Sequence, residues 1–278
     1  MREFQLDILR ALQEWINPAF TFIFNFFTLF GEELIAIAVI GFIYWCKNKE
    51  TGKKIGITVL FSICVNNILK GIFMVERPKE IEGIKLLKPS TATGTSFPSG
   101  HSQSASAVFY SIAFKLKRKW FYVLSTVIVL LVMLSRLYLG CHFPLDVIVG
   151  ALLGFIIAFI LSKVFDKVKN TNLLFIVLIL IVTPFIFIFK SDDAFKMYGA
   201  ITGTVLGFFI EERFVKFTQH KIIWKNSVRL ILGVLIAFGL LQTKKLLPLE
   251  PFFYFIRYFV TTLIAIAIYP MLFKMLKI

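Results

Sequence analysis

Acidic side chains are scarce in this sequence: 16 Asp and Glu stand against 31 Lys and Arg in 278 residues, and charged residues make up only 17% of the chain. Soluble domains carry about 25%, so a water-exposed globular body is excluded. Cysteine is rarer still. Cys46, Cys64 and Cys141 lie in or beside apolar runs without C-x-x-C spacing, which argues against a disulfide framework or a cysteine zinc site. The start, MREFQLDILRALQEW, sets Asp7 and Glu14 among apolar residues and lacks a cleavable signal-peptide pattern. It reads as an amphipathic helix lying on the membrane. No repeat, low-complexity stretch or soluble linker is evident.

What is present is apolar. Hydrophobic residues make up 58% of the chain and mean hydropathy is +0.82, which predicts an all-α, polytopic membrane helix bundle. Runs able to cross a hydrocarbon core of about 30 Å lie at roughly 33–46, 55–74, 101–115, 120–139, 143–162, 172–190, 196–212, 227–242 and 252–273. The brief apolar segment 17–30, opening with Asn17-Pro18, reads as a re-entrant or tilted extra helix, giving nine or ten in all.

The net charge of +15 would suit nucleic acid only if a soluble domain carried it, and none is visible. Instead, KNKETGKK (47–54), KLKRK (115–119), KVFDKVKN (163–170) and EERFVKFTQHKIIWKN (211–226) all fall on one side if the nine runs alternate. That side is expected to be cytoplasmic, with anionic lipid as a further partner of its lysines. Trp45, Trp120 and Trp224 beside those loops read as interfacial anchors. The segments 75–100, 140–142, 191–195 and 243–251 then face outward. Gly150 and Gly154, and Gly199, Gly203 and Gly207, recur every four residues and read as close helix crossings. Packing within the monomer is preferred to a dimer interface, although a homodimer is left open.

Three polar clusters interrupt the outer side. In KGIFMVERP, Lys70 and Arg77 are seven apart, two helical turns, so they share a helix face before Pro78 ends it. Two such cations are costly near lipid unless they meet an anion or snorkel to the interface. In SFPSGHS, Pro98 opens a helix whose first turn holds Ser99, Gly100 and His101, where free N–H groups and the dipole favour an anion. A plain helix cap explains Ser99 and Gly100 as well, but an imidazole beside an anion cradle suits acid–base work.

The third cluster is SRLYLGCHFPLD, 135–146. His142 and Asp146 are four apart, so with a helix starting near His142 the carboxylate accepts a hydrogen bond from one ring N–H and leaves the other nitrogen free to attack. A structural hydrogen-bonded pair is the alternative. Arg136 adds a forked donor matched to phosphate. Cys141 is rejected as nucleophile, since adjacent residues on a helix do not face each other. His220, in the basic cytoplasmic loop, reads as solvated.

Together the clusters read Lys70-GIFMVE-Arg77-Pro78, Pro98-Ser99-Gly100-His101 and Ser135-Arg136-LYLGC-His142-FPL-Asp146. Over roughly 30–165 this resembles the type 2 phosphatidic acid phosphatase superfamily, whose membrane branch includes lipid phosphate, polyprenyl diphosphate and sphingoid-base phosphate phosphatases and glucose-6-phosphatase. The resemblance implies a six-helix phosphatase core at 31–170, between an N-terminal membrane-associated segment at 1–30 and a four-helix extension at 171–278. It also implies His142 as nucleophile, Asp146 as its orienting carboxylate and His101 as the acid for the leaving group. Lys70, Arg77, Ser99, Gly100 and Arg136 would hold the phosphate, with no metal and no cofactor.

The partners implied are an amphiphilic phosphorylated lipid and the bilayer, not nucleic acid. The expected place is the plasma (inner) membrane, multi-pass, with the site facing outside and the loop 80–97 shaping access. Passing the phosphoryl group to a sugar or lipid hydroxyl is the rival chemistry. A lipid transporter is the rival outside enzymes, although the spans of 171–278 carry almost no charge away from their ends.

Overall fold

The computed structural model describes all residues except 1, 80, 82, 190, 244–247, 249, 277 and 278, and the side chain of Lys274. Parts of the expected outer segments 75–100 and 243–251 therefore lie outside the described residues. Every regular element described is helical. They are α1 (Arg2–Gln13), α2 (Pro18–Thr28), α3 (Glu33–Gly41), α4 (Lys49–Phe73), α5 (Gly100–Leu116) and α6 (Lys119–Tyr138). The remainder are α7 (Pro144–Lys167), α8 (Thr171–Phe189), α9 (Asp192–Ile210), α10 (Ile223–Gln242), α11 (Pro251–Leu263) and α12 (Tyr269–Met275).

Six described helices are long and apolar enough to span: α4, α6, α7, α8, α10 and the stretch Pro251–Phe273. A seventh joins Pro18–Gly31 to Glu33–Lys47 across a 52° bend, as a broken span or a re-entrant loop. This is where the sequence suggested an extra helix at 17–30. α5 and α9 are helical but are not among the six, so length and composition give fewer spans than the nine or ten expected.

The chain divides into two compact units, 1–36 with 69–162 and 37–68 with 163–278. In the first, α5 is the central helix, with Ser102 to Phe109 all buried. Its small residues let α7 approach closely: a Cβ on Gly150 would stand 2.5 Å from Ser99 O, and one on Gly154 2.4 Å from Gln103 O. The pairs 150 with 99 and 154 with 103 advance together, so α5 and α7 run parallel and α6 must return between them. Ser106 Oγ donates to Ala151 O across that contact at 2.7 Å, worth about 0.6 kcal/mol for a typical interhelical bond in a bilayer.

α1 is helical as the sequence suggested, and its apolar face is covered by protein. Leu6 and Leu9 pack with Ile84 and Phe143. Gln13 Nε2 donates to Lys85 O at 2.8 Å and to Tyr138 O at 3.0 Å, which ties α1 to the loop following Arg77 and to the end of α6.

In the second unit the residues 199, 203 and 207 meet 255, 259 and 266 in order, so α9 and α11 are also parallel. Both glycine stripes are thus crossings within one chain. Lys49 pairs with Glu211 and Lys53 with Glu212, which brings together two of the basic segments assigned to one side. Trp120 and Trp224 are exposed as anchors would be, but Trp45 is not. Its ring is buried and its Nε1 donates to Ala265 O at 3.2 Å, because Gly41 and Gly233 leave room for the indole. His220 lies beside the start of α10, where its Nδ1 accepts an exposed hydrogen bond from Ile222 N at 3.1 Å.

Candidate active site

Arg136 and His142 are brought together by the way α6 stops. Cys141 N donates to Arg136 O and Gly140 N to Leu137 O, both at 3.0 Å, the paired bonds of a Schellman cap. The cap needs a left-handed residue, and Gly140 has φ +68. A Cβ there would also strike Lys85 O at 2.4 Å. The chain thereby reverses in three residues and delivers His142 beside the last turn of α6.

α7 opens at Pro144, two residues later than the sequence spacing assumed. The His142–Asp146 relation survives because the carboxylate reaches back: Asp146 Oδ2 accepts from Phe143 N at 2.9 Å and stands 3.4 Å from His142 Nδ1. Ser99 N donates to Asp146 O at 2.9 Å, stitching the start of α5 to the first turn of α7. The parallel packing of those helices therefore puts His101 and His142 at the same end of the first unit.

Lys70 and Arg77 also arrive together, but not along one helix face. α4 ends at Phe73, Met74 takes φ +46, and Arg77 lies outside any helix. Arg77 is buried and its fork is fully engaged. Nε donates to Gly94 O at 3.0 Å, Nη2 to Thr93 O at 2.7 Å, and Nη1 to Cys141 O at 2.8 Å and to His142 Nε2 at 3.1 Å. Lys70 Nζ donates to Thr95 O.

A guanidinium has no acceptor, so the bond from Arg77 fixes the tautomer of His142. Nε2 carries the lone pair and Nδ1 the proton, which points at Asp146 and Ser96. Burial first, then Arg77, Arg136 and Lys70, hold this imidazole well below its ordinary value. It is a neutral ring whose lone pair faces a cation. Burial pushes the Cys141 thiol up despite Arg136 and Arg77 beside it, which agrees with rejecting it as nucleophile.

Arg136 is fully buried. Nη1 donates to Thr28 Oγ1 and Thr91 Oγ1, each at 3.0 Å, and Nη2 to Thr91 O at 3.1 Å, but Nε has no partner. His101 Nε2 is likewise buried without one. Ser99 caps α5, accepting from Ser102 N at 3.5 Å. Gly31 lies so close that a Cβ on it would stand 2.8 Å from His101 Cβ.

Sequence reasoning missed several residues. Ser96 is fully buried; its Oγ donates to Asp146 Oδ2 and stands 3.3 Å from His142 Nδ1. Thr28, Thr91, Thr93, Gly94 and Thr95 supply the oxygens that aim the cations. Lys88 pairs with Glu32 at 2.7 Å. The polar run PSTATGTS just before the second motif was the available signal, but backbone carbonyls do most of the work and any residue type has those. The joined group holds four cations, Lys70, Arg77, Lys88 and Arg136, against two carboxylates, Asp146 and Glu32. An excess of two positive charges with two orphaned buried nitrogens matches a phosphate dianion.

Comparison with known proteins identifies the family. The profile of the PAP2 superfamily matches residues 51–170, and that of the PAP2 superfamily phosphatase transmembrane extension matches 195–278. Phosphatidylglycerophosphatase B of Bacillus subtilis is 30% identical over 173 residues, covering 57% of this chain and 79% of that protein. The chain belongs to the PAP2 superfamily. The PAP2 profile spans all eight residues singled out from the three motifs, and the second profile lies in the stretch beyond the resemblance seen in the sequence. Undecaprenyl-diphosphatase of Sulfolobus acidocaldarius is 32% identical over 139 residues, 49% of this chain and 66% of that one. The crystal structure of the first transmembrane PAP2 type phosphatidylglycerolphosphate phosphatase, from Bacillus subtilis, matches with a TM-score of 0.52 at 27% identity, covering 61% of this chain and 88% of that one. This PAP2 protein is an integral membrane hydrolase with a helical fold.

Proposed function

We propose that this PAP2 hydrolase releases phosphate from a lipid phosphate or polyprenyl diphosphate through a phosphohistidine on His142, at an extracytoplasmic site in the plasma membrane. The observation that carries the reading is the bond from Arg77 to His142 Nε2, which leaves the lone pair on the nitrogen facing the cations. A phosphoryl group takes Arg77 as its own partner. His142 Nε2 then forms the N–P bond as the P–O bond to the leaving group breaks, and His101 gives that oxygen its proton. Water next attacks phosphorus, His101 takes back a proton, and the N–P bond breaks to free phosphate and the neutral ring. Lys70, Arg77, Arg136 and the first amides of α5 at Gly100 and His101 stabilise the charge on the equatorial oxygens. Asp146 holds the imidazole and balances its developing charge.

An amphiphile fits because the site lies at the helix ends, where a head group can be taken while its tail stays in lipid. The outward orientation rests on the basic loops, which the positive-inside bias assigns to the cytoplasm. The test is release of inorganic phosphate by detergent-purified protein, in EDTA, from phosphatidylglycerophosphate and undecaprenyl diphosphate. His142→Ala is expected to abolish it. His101→Ala should lose more on the monoester, whose leaving alkoxide needs a proton, than on the diphosphate, whose leaving phosphate does not. Near wild-type release by His142→Ala would overturn the mechanism.

A further inference from the structure

Arg257 stands seventh in α11, inside a stretch apolar enough to span, and is 8% exposed. Among the described residues no hydrogen bond or ion pair reaches its guanidinium, and Nε is enclosed without a partner. Its contacts are the rings of Tyr254 and Tyr258, at 5.5 and 5.2 Å. Nε is shielded even with no lipid counted, while Nη1 and Nη2 stay accessible to a ligand.

The surroundings are built to hold it. Tyr254, Arg257 and Tyr258 are three and four residues apart and share one face of α11. Gly199 draws α11 so close to α9 that a Cβ on it would stand 2.3 Å from Phe255 O. Lys196, one turn before Gly199, thereby places its ammonium 5.0 Å from the centre of the Tyr254 ring. Lys196 pairs with Asp193 at 2.7 Å, whereas no ion pair reaches Arg257 among the described residues. Ionisable groups within a span are costly and mark functional sites by default, and a forked guanidinium held against aromatic rings suits an oxyanion.

We propose that Arg257, Lys196, Tyr254 and Tyr258 form a second anion site in the C-terminal helices, one that binds a phosphate-type oxyanion borne by a phospholipid head group or free in solution. The buried charge is then completed by its ligand, and nothing is hydrolysed there.

The test uses the full-length protein in neutral detergent with phosphatidylglycerol as probe and dioleoylglycerol as the uncharged control, read by native mass spectrometry and thermal unfolding. Wild type is expected to retain one phosphatidylglycerol that Arg257→Gln binds at least tenfold more weakly, and to gain thermal stability from that lipid where the variant gains none. Without lipid the variant should unfold at or above the wild-type temperature, because removing an unpaired charge strands no partner. Lys196→Gln should weaken binding by a smaller factor and serves as the second variant if Arg257→Gln elutes as aggregate. Millimolar inorganic phosphate separates the sources: displacement of the lipid marks the free oxyanion as sufficient, and retention marks the head group with its tail as the ligand. Equal phosphatidylglycerol retention by wild type and both variants, or an equal loss of dioleoylglycerol from Arg257→Gln, overturns the proposal.

Discussion

Ser96→Ala isolates the positioning of the proposed nucleophile from the binding of phosphate. Ser96 Oγ donates to Asp146 Oδ2 and lies 3.3 Å from His142 Nδ1, while its backbone N donates to Val75 O at 2.7 Å. The methyl group keeps the backbone bond and the volume but removes one hydrogen bond to a charged acceptor, worth about 1.5–3 kcal/mol. Asp146 keeps the amide of Phe143 and the ring proton of His142, so the carboxylate is not stranded. The main loss is in aiming the imidazole. At about 1.36 kcal/mol per factor of ten, kcat should fall about 10- to 150-fold. KM should change little, because Ser96 is not bonded to any of the phosphate-holding cations. The assay is phosphate release across substrate concentrations, with Asp146→Asn measured alongside. If Ser96→Ala stays within twofold of wild type while Asp146→Asn falls a hundredfold, the hydroxyl does not position the ring. A rise in KM with unchanged kcat would place Ser96 on the substrate instead.

Two further predictions concern protonation and packing. His142 must be neutral to attack, and burial with neighbouring cations holds its pKa down, so the acid limb of kcat/KM should lie below the ordinary imidazole value near 6.5. Arg77→Gln removes one cation, raises that pKa and moves the limb to higher pH. Burial remains as the larger cause, so the move is partial, and comparison on one substrate cancels the substrate's own ionisation. A limb unmoved by Arg77→Gln counts against the assignment. Gly154→Val puts a side chain 2.4 Å from Gln103 O and 2.8 Å from Ser106 Cβ. It should destabilise by about 1–3 kcal/mol or more. Gly239→Ala meets no atom within 4 Å and should be neutral or stabilising by up to about 1 kcal/mol. Thermal unfolding in detergent compares the pair.

The order of the three motifs was enough to name a family and a hydrolase class, because imidazoles, a carboxylate and a row of cations are residue types and survive any error in secondary structure. Helical geometry was a weaker guide. The spacing of Lys70 and Arg77 suits one helix face, yet Met74 leaves the helix and Arg77 reaches the site from non-helical chain. His142 and Asp146 were joined by an assumed helical turn, and instead the carboxylate caps the start of α7.

The sequence by itself determined the apolar helical body, the basic loops and the eight residues now found in one unit, since each follows from side-chain chemistry read in order. Only the tertiary structure decided which nitrogen of His142 carries the lone pair, for that depends on a bond from Arg77, 65 residues away in the chain. It also decided that Ser96 and the threonine carbonyls of 91, 93 and 95 aim the site, and that Arg257 Nε is enclosed without a partner. Backbone oxygens are present at every residue and a single arginine reads alike whether solvated or covered, so in both cases the information resides in what folds against them.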